Sequence, residues 1–127
     1  MKRLAFAFGL LVFGFSPAFS QADDKRTLSF ACSDWVVVGR VKNGEFHSAD
    51  GPDDILGRGW IDATLEVGRV VKGSQTAPTL HVRYFAHTYM RSDQDFMLVL
   101  SSQPDGAFLI RTGQLMSAHP KLAARCS

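Results

Sequence analysis

Cysteine is scarce in this chain: Cys32 and Cys126 are the only two among 127 residues, so a single disulfide is the most it can form. No apolar run approaches the roughly 20 residues that a membrane-spanning helix needs. The longest, Leu4 to Phe15, stops well short. Neither sign of charge is in real surplus. The chain holds 14 Lys and Arg against 12 Asp and Glu, and Lys2 and Arg3 account for the whole difference, so everything after residue 22 is neutral overall. That balance weighs against nucleic acid and anionic membrane as partners, which demand an excess of Lys and Arg to displace counterions. Internal repeats and low-complexity segments are absent, as are G-x-S-x-G and H-E-x-x-H. Once a disulfide forms, no free thiol is left either. Catalysis is therefore without a nucleophile-and-base or zinc signature, and no catalytic residue, metal ligand or cofactor is assigned.

Residues 1–22 combine a basic start (Lys2, Arg3), an apolar run and small residues at Ala18, Ser20 and Ala22. This is the pattern of a secretory signal peptide, cut after Ser20 or after Ala22, with the second favoured. Residues 23–31 read as a flexible lead and residues 32–127 as one domain, since about 105 residues suffice for one core and not two. An exported chain meets an oxidising compartment, periplasmic or extracellular, where Cys32 and Cys126 pair by default. A lipid-modified Cys32 fits poorly, because the charged DDKR at 23–26 separates it from the apolar run.

The centre of the pattern is Trp60 to Gly73, in which Ile61, Ala63, Leu65 and Val67 alternate with Asp62, Thr64 and Glu66 at the two-residue period of a half-buried strand. Gly68 breaks the alternation, marking a bulge or bend. Asp34 to Val41 is a β-branched strand with near-continuous apolar character, hence buried on both faces, and Gly39 marks a bulge or a close backbone approach. Lys42 to Gly59, rich in Gly and acidic residues and opening on Asn43-Gly44, reads as a long connection. Thr79 to Tyr89 and Phe96 to Leu100 are further strands. Gln103-Pro104-Asp105-Gly106 is a type I turn with a following bulge, leading into a fifth strand at Phe108 to Arg111. Leu28 to Cys32 is a short helical turn in this reading, and Ser117 to Arg125 a short terminal helix carrying Cys126. The sum is an all-β protein with small α content, five strands in a closed or nearly closed antiparallel β-barrel with a short C-terminal helix.

Two groups of polar residues invite a chemical reading. On the third strand His81, Arg83, Phe85, His87 and Tyr89 share one side, an aromatic and cationic stripe suited to stacking on and hydrogen-bonding an anionic or sugar ligand. On a straight strand the two imidazoles would lie roughly 20 Å apart, too far to share a metal. A solvated strand face accounts for the same residues. In the long connection, Glu45, His47, Asp50, Asp53 and Asp54 cluster without the spacing of a calcium loop, as a polar loop also does. Asp62 and Glu66, about 13 Å apart along one strand face, are too far apart for glycosidase chemistry. Trp35 and Trp60 read as core or barrel-rim packing.

The run Asp34-Trp35-Val36-Val37-Val38-Gly39-Arg40-Val41, a long loop, an alternating strand closing in Lys72-Gly73 and an apolar strand leading to a Gly hairpin (Phe96 to Gly106) resemble the netrin-like module. That is the OB-type barrel shared with tissue inhibitors of metalloproteinases, here in a short bacterial secreted form spanning Cys32 to Cys126. The resemblance implies a binding scaffold. The chelating N-terminal cysteine of those inhibitors has no counterpart, because about ten residues precede Cys32 after either cleavage. The expectation is an exported interaction module without catalytic activity, whose partner is another exported or envelope protein. The alternative is a small-ligand- or metal-binding protein or a minor hydrolase, for which the mark would be His47 or His87 converging with carboxylates in a pocket, a histidine within about 4 Å of two acids.

Overall fold

The computed structural model describes residues 26–49, 57–74 and 77–126. The signal-peptide and cleavage readings, residues 23–25 of the lead, and Asp50, Asp53 and Asp54 lie outside the described residues. Among the described residues seven strands are present: β1 (Thr27–Phe30), β2 (Trp35–Ser48), β3 (Gly59–Lys72), β4 (Thr79–Ala86), β5 (Phe96–Ser102), β6 (Phe108–Leu115) and β7 (Lys121–Ala124).

Five of them close a barrel in the order β2-β3-β4-β6-β5. All its pairings are antiparallel except β4 with β6, a short parallel seam at Val82↔Phe108 and Arg83↔Leu109. The strand pattern predicts this five-stranded barrel, and its strand order is the OB-type Greek key that the netrin-like resemblance implies. The two fourteen-residue strands β2 and β3 form its long hairpin. Alternation fills the interior with Val37, Val41, Ile61, Leu65, Val82, Leu98 and Leu100, all fully buried.

Both marked glycines earn their place at one bulge. Val38 pairs with Arg69 and Gly39 with Val67, so Gly68 is the extra residue. A Cβ on Gly39 would collide with the Glu66 carbonyl. At the 103–106 turn, Gly106 takes φ 89°, donates to the Gln103 carbonyl at 3.0 Å, and lets Gln103 N reach Ala107 O at 2.9 Å.

The both-sided burial of the valine run also holds, and its cause corrects two expectations. Val36 and Val38, with Met97 and Val99 of β5, face outward from the barrel and are covered by Leu28, Phe30, Met116 and Leu122. The cover is a two-stranded parallel sheet: β1 pairs with β7 from Thr27↔Lys121 to Phe30↔Ala124. Leu28 to Phe30 is thus a strand and not a helical turn, and the C-terminal helix is absent. In its place stand a single 3₁₀ turn, Met116–Ala118, and β7. Residues 121–124 have fair helix propensity, but an apolar flank already lined by four side chains rewards a flat cover, and backbone bonding to β1 decides the outcome. Arg125 continues the ladder, its N–H donating to Phe30 O at 2.7 Å and its Nε to Ser29 Oγ at 3.1 Å.

The Cys32–Cys126 disulfide clamps the far end of this cover. Beside it, Asp34, only 2% exposed, accepts from Ala31 N at 2.8 Å and from Arg111 Nη1 at 3.1 Å. Lys72 Nζ donates to the carbonyls of Cys32 and Asp34, each at 2.6 Å.

The supposed connection begins as strand: β2 continues to Ser48, and Asn43-Gly44 makes a further bulge instead of a turn, Asn43 pairing with Ala63 and Phe46 with Ile61. Asn43 is held by tertiary bonds: its Nδ2 donates to Met90 O at 2.8 Å and its Oδ1 accepts from Tyr84 at 2.6 Å. Those contacts outweigh the turn preference of the dipeptide.

Candidate functional site

On β3 the residues that alternate with the buried Ile61, Ala63 and Leu65 point away from the barrel, and register sets what they meet. Trp60 lies opposite Phe85, Asp62 opposite Arg83 and Thr64 opposite His81, while His47 of β2 lies opposite Trp60 on the other flank. Trp60 and Phe85 pack edge to face, ring centroids 5.1 Å apart, yet remain 41% and 44% exposed. The Arg58 guanidinium sits 5.8 Å from the Phe85 ring centre, within cation-π range.

Asp62 is the hub. One carboxylate oxygen lies 3.0 Å from His47 Nε2; the other lies 3.5 Å from Arg83 Nε and 3.6 Å from His81 Nε2. Arg83 turns its second arm to Asp105 in the β5–β6 turn, Nη2 to Oδ2 at 3.0 Å. Asp105 also accepts from Ala107 N at 3.1 Å, and these two bonds, the backbone one first, hold its carboxyl below the usual carboxylate range. His47 Nε2 lies 3.3 Å from Glu45 as well, so a histidine does stand within reach of two acids. Among the described residues no three His, Cys, Asp or Glu side chains are placed to hold a metal ion.

These groups border two hollows that share Asp62. One, of about 400 Å³, is lined by His47, Trp60, Arg83, Gln103 and Leu109; the other, of about 410 Å³, by Lys42, Asn43, Thr64 and His81. Together they make a polar trough that follows β3 from Trp60 through Asp62 to Thr64, flanked by β2 and β4, its Trp60 half reaching Leu109 of β6.

The stripe read from the sequence is divided by the fold. His81, Arg83 and Phe85 stand together on the outer face. β4 ends at Ala86, and His87 and Tyr89 line a separate hollow of about 390 Å³ with Phe46, Ile61 and Thr88. Trp35 packs in the core against Phe108, rings 5.5 Å apart, as expected, while Trp60 lies exposed on the outer face, packed on Phe85. Of the two histidines expected to converge with carboxylates, His47 does so; Trp60, Asp62 and Gln103 were not foreseen at the site. The alternation already puts Trp60 and Asp62 on one side of their strand; what joins them to Arg83 and Phe85 is strand register, which alternation alone does not fix.

Compared with protein-family models, curated proteins and solved structures, the chain matches none of them. Fold and site define a small OB-type barrel with a polar, aromatic-edged trough on the face of its second and third barrel strands.

Proposed function

We propose that this protein is an exported binding module, without catalytic activity, that takes its ligand on the outer face of β3 and β4, beside His47, which stands 3.0 Å from Asp62 and 3.3 Å from Glu45 and so meets the mark set for a ligand-binding protein. The observation that carries the reading is the Trp60–Phe85 pair: two large aromatic rings, packed on each other and more than two-fifths exposed, beside a hollow lined by prearranged polar side chains. Exposed aromatics next to arginine are what binding surfaces concentrate, and the outer face of these two strands with its flanking loops is where OB-type barrels hold ligands. The mutual bonds of His47, Asp62, Arg83 and Asp105 fix the polar groups before any ligand arrives, which lowers the entropy cost of recognition. Export is supported by the basic and apolar start of the chain and by the Cys32–Cys126 bond. The netrin-like resemblance agrees with a binding scaffold.

The test is retention of envelope and culture-medium components, proteins and polysaccharides alike, on the immobilised oxidised protein, run beside a Trp60→Ala, Arg83→Ala, Phe85→Ala variant whose fold is checked by circular dichroism. A component held by the native protein and released by the variant is the expected result. Retention indifferent to the variant would move the binding surface elsewhere.

A further inference from the structure

Resting on that reading, we infer that the ligand of the trough is an uncharged oligosaccharide, a short run of linear glycan lying along β3 with one sugar ring on Trp60. Three observations lead to this ligand chemistry.

The first is electrostatic. The cations along the trough are already matched: Arg83 by Asp62 and Asp105, and Lys42 by Glu66 at 3.2 Å. With Glu45 beside His47, the acids on this face are at least as numerous as the fixed cations. A phosphate or sulfate polymer would have to break these pairs to gain its own, and the chain beyond residue 22 offers no surplus of Lys and Arg to drive that exchange. The second is the kind of polar group present. Asp62, Arg83, Gln103 and the two histidines are planar groups that set acceptors and donors side by side, the inventory that reads hydroxyl groups. Pairing leaves Asp62 and Arg83 spare capacity, because a carboxylate accepts about four bonds and a guanidinium donates five. The third is the platform. The Trp60 ring stands at one end of the polar row, where the apolar C–H face of a sugar ring covers aromatic carbon while its hydroxyl edge meets the row. From Trp60 to Thr64 along β3 is roughly 13 Å at about 3.3 Å per residue, so the trough takes a few sugar units and not one.

The experiment is ¹⁵N-NMR titration of the oxidised protein with short linear neutral glycans (β-1,4-glucan, β-1,4-xylan, β-1,4-mannan, β-1,3-glucan and N-acetylglucosamine oligomers). A sulfated heparin fragment and single-stranded DNA are the charged comparators. Expected is saturable binding of at least one neutral chain, with shifts at Trp60, Asp62 and Arg83. Its Kd should change little between about 50 and 500 mM salt, where phosphate-driven binding would fall steeply. Trp60→Ala should weaken it about tenfold, a loss equal to about 1.4 kcal/mol, and Asp62→Asn should weaken it with the fold intact. No binding of any neutral chain, or binding confined to the charged comparators, overturns the glycan assignment. If at the same time a protein is retained by the native chain and lost by the triple variant, the glycan assignment fails while the binding-module reading stands. If nothing is retained through this face, both fail.

Discussion

Replacing Tyr84 with phenylalanine removes one oxygen and tests how the open end of the barrel is held. Tyr84 is buried between β2 and the segment after β4; its hydroxyl donates to Asn43 Oδ1 at 2.6 Å and accepts from Met90 N at 2.8 Å. The variant keeps the ring and leaves those two part-buried groups without that partner, while Asn43 Nδ2 still reaches Met90 O. Stranding buried polar groups costs about 1 to 3 kcal/mol, and partial access to water places this case at about 1 to 2 kcal/mol. For a domain of this size each kcal/mol is a fall of about 4 to 8 °C in Tm.

Alkali supplies a second arm. Burial raises the Tyr84 pKa above its ordinary value, with the Met90 N–H opposing and Tyr89 adding to the rise. The phenol therefore ionises first in the unfolded chain. The stability it contributes is whole below about pH 10 and drains away as pH climbs from there toward the folded-state value, because the unfolded chain now binds fewer protons than the folded one. Urea unfolding of both proteins at neutral pH and above about pH 10 should show the gap between wild type and variant narrowing in alkali. Equal midpoints at neutral pH, or a gap indifferent to pH, would refute the account of Tyr84 as a hydrogen-bonded tie.

Reduction, or Cys32→Ser with Cys126→Ser, opens a loop of 94 residues and should cost about 4 kcal/mol on the chain-entropy model. Hydrogen exchange should then show β1 and β7 losing protection before the barrel does. Asp34→Ala strips Ala31 N and Arg111 of their acceptor and should lower urea-unfolding stability by about 2 kcal/mol. Gly39→Ala forces a methyl against the Glu66 carbonyl at the β2–β3 bulge and should destabilise by about 1 to 3 kcal/mol in the same assay. Arg83→Ala should raise the Asp105 carboxyl pKa measured by NMR, but only part of the way to the ordinary value, because the bond from Ala107 N remains.

Where hydrophobic period and glycine agreed, the sequence was legible. Ile61, Ala63 and Leu65 predicted the buried side of β3, and Gly39 and Gly68 predicted a bulge that proved to be one and the same. Gln103 to Gly106 predicted the hairpin turn that closes β5 onto β6. The ends of the chain were misread because local preference spoke there alone. Nothing in Leu28-Ser29-Phe30 or Leu122-Ala123-Ala124 reveals that the two segments pair with each other across more than ninety residues and roof the valines of β2. The doubly apolar run Val36-Val37-Val38 held the clue, since its outer side demanded a cover. Asn43-Gly44 was misread for a similar reason: the turn preference was real, but Asn43 was engaged elsewhere. The candidate site was half visible. His81, Arg83 and Phe85 stand out on one strand, whereas Trp60, Asp62 and His47 join them only through register.

The parallel pairing of β1 with β7 also sets an order of events. A chain made from its N-terminus presents Leu28 long before Lys121 to Ala124 exist to pair with it, so β1 can only wait. The barrel strands between them can close first through their hairpins, leaving Val36, Val38, Met97 and Val99 bare to water on one flank. Such an unroofed barrel is a sticky species, and contacts of this sequence separation are the slow ones to form. The last residues of the chain thus act as a latch: until they dock, the fold is closed but not yet safe from its neighbours.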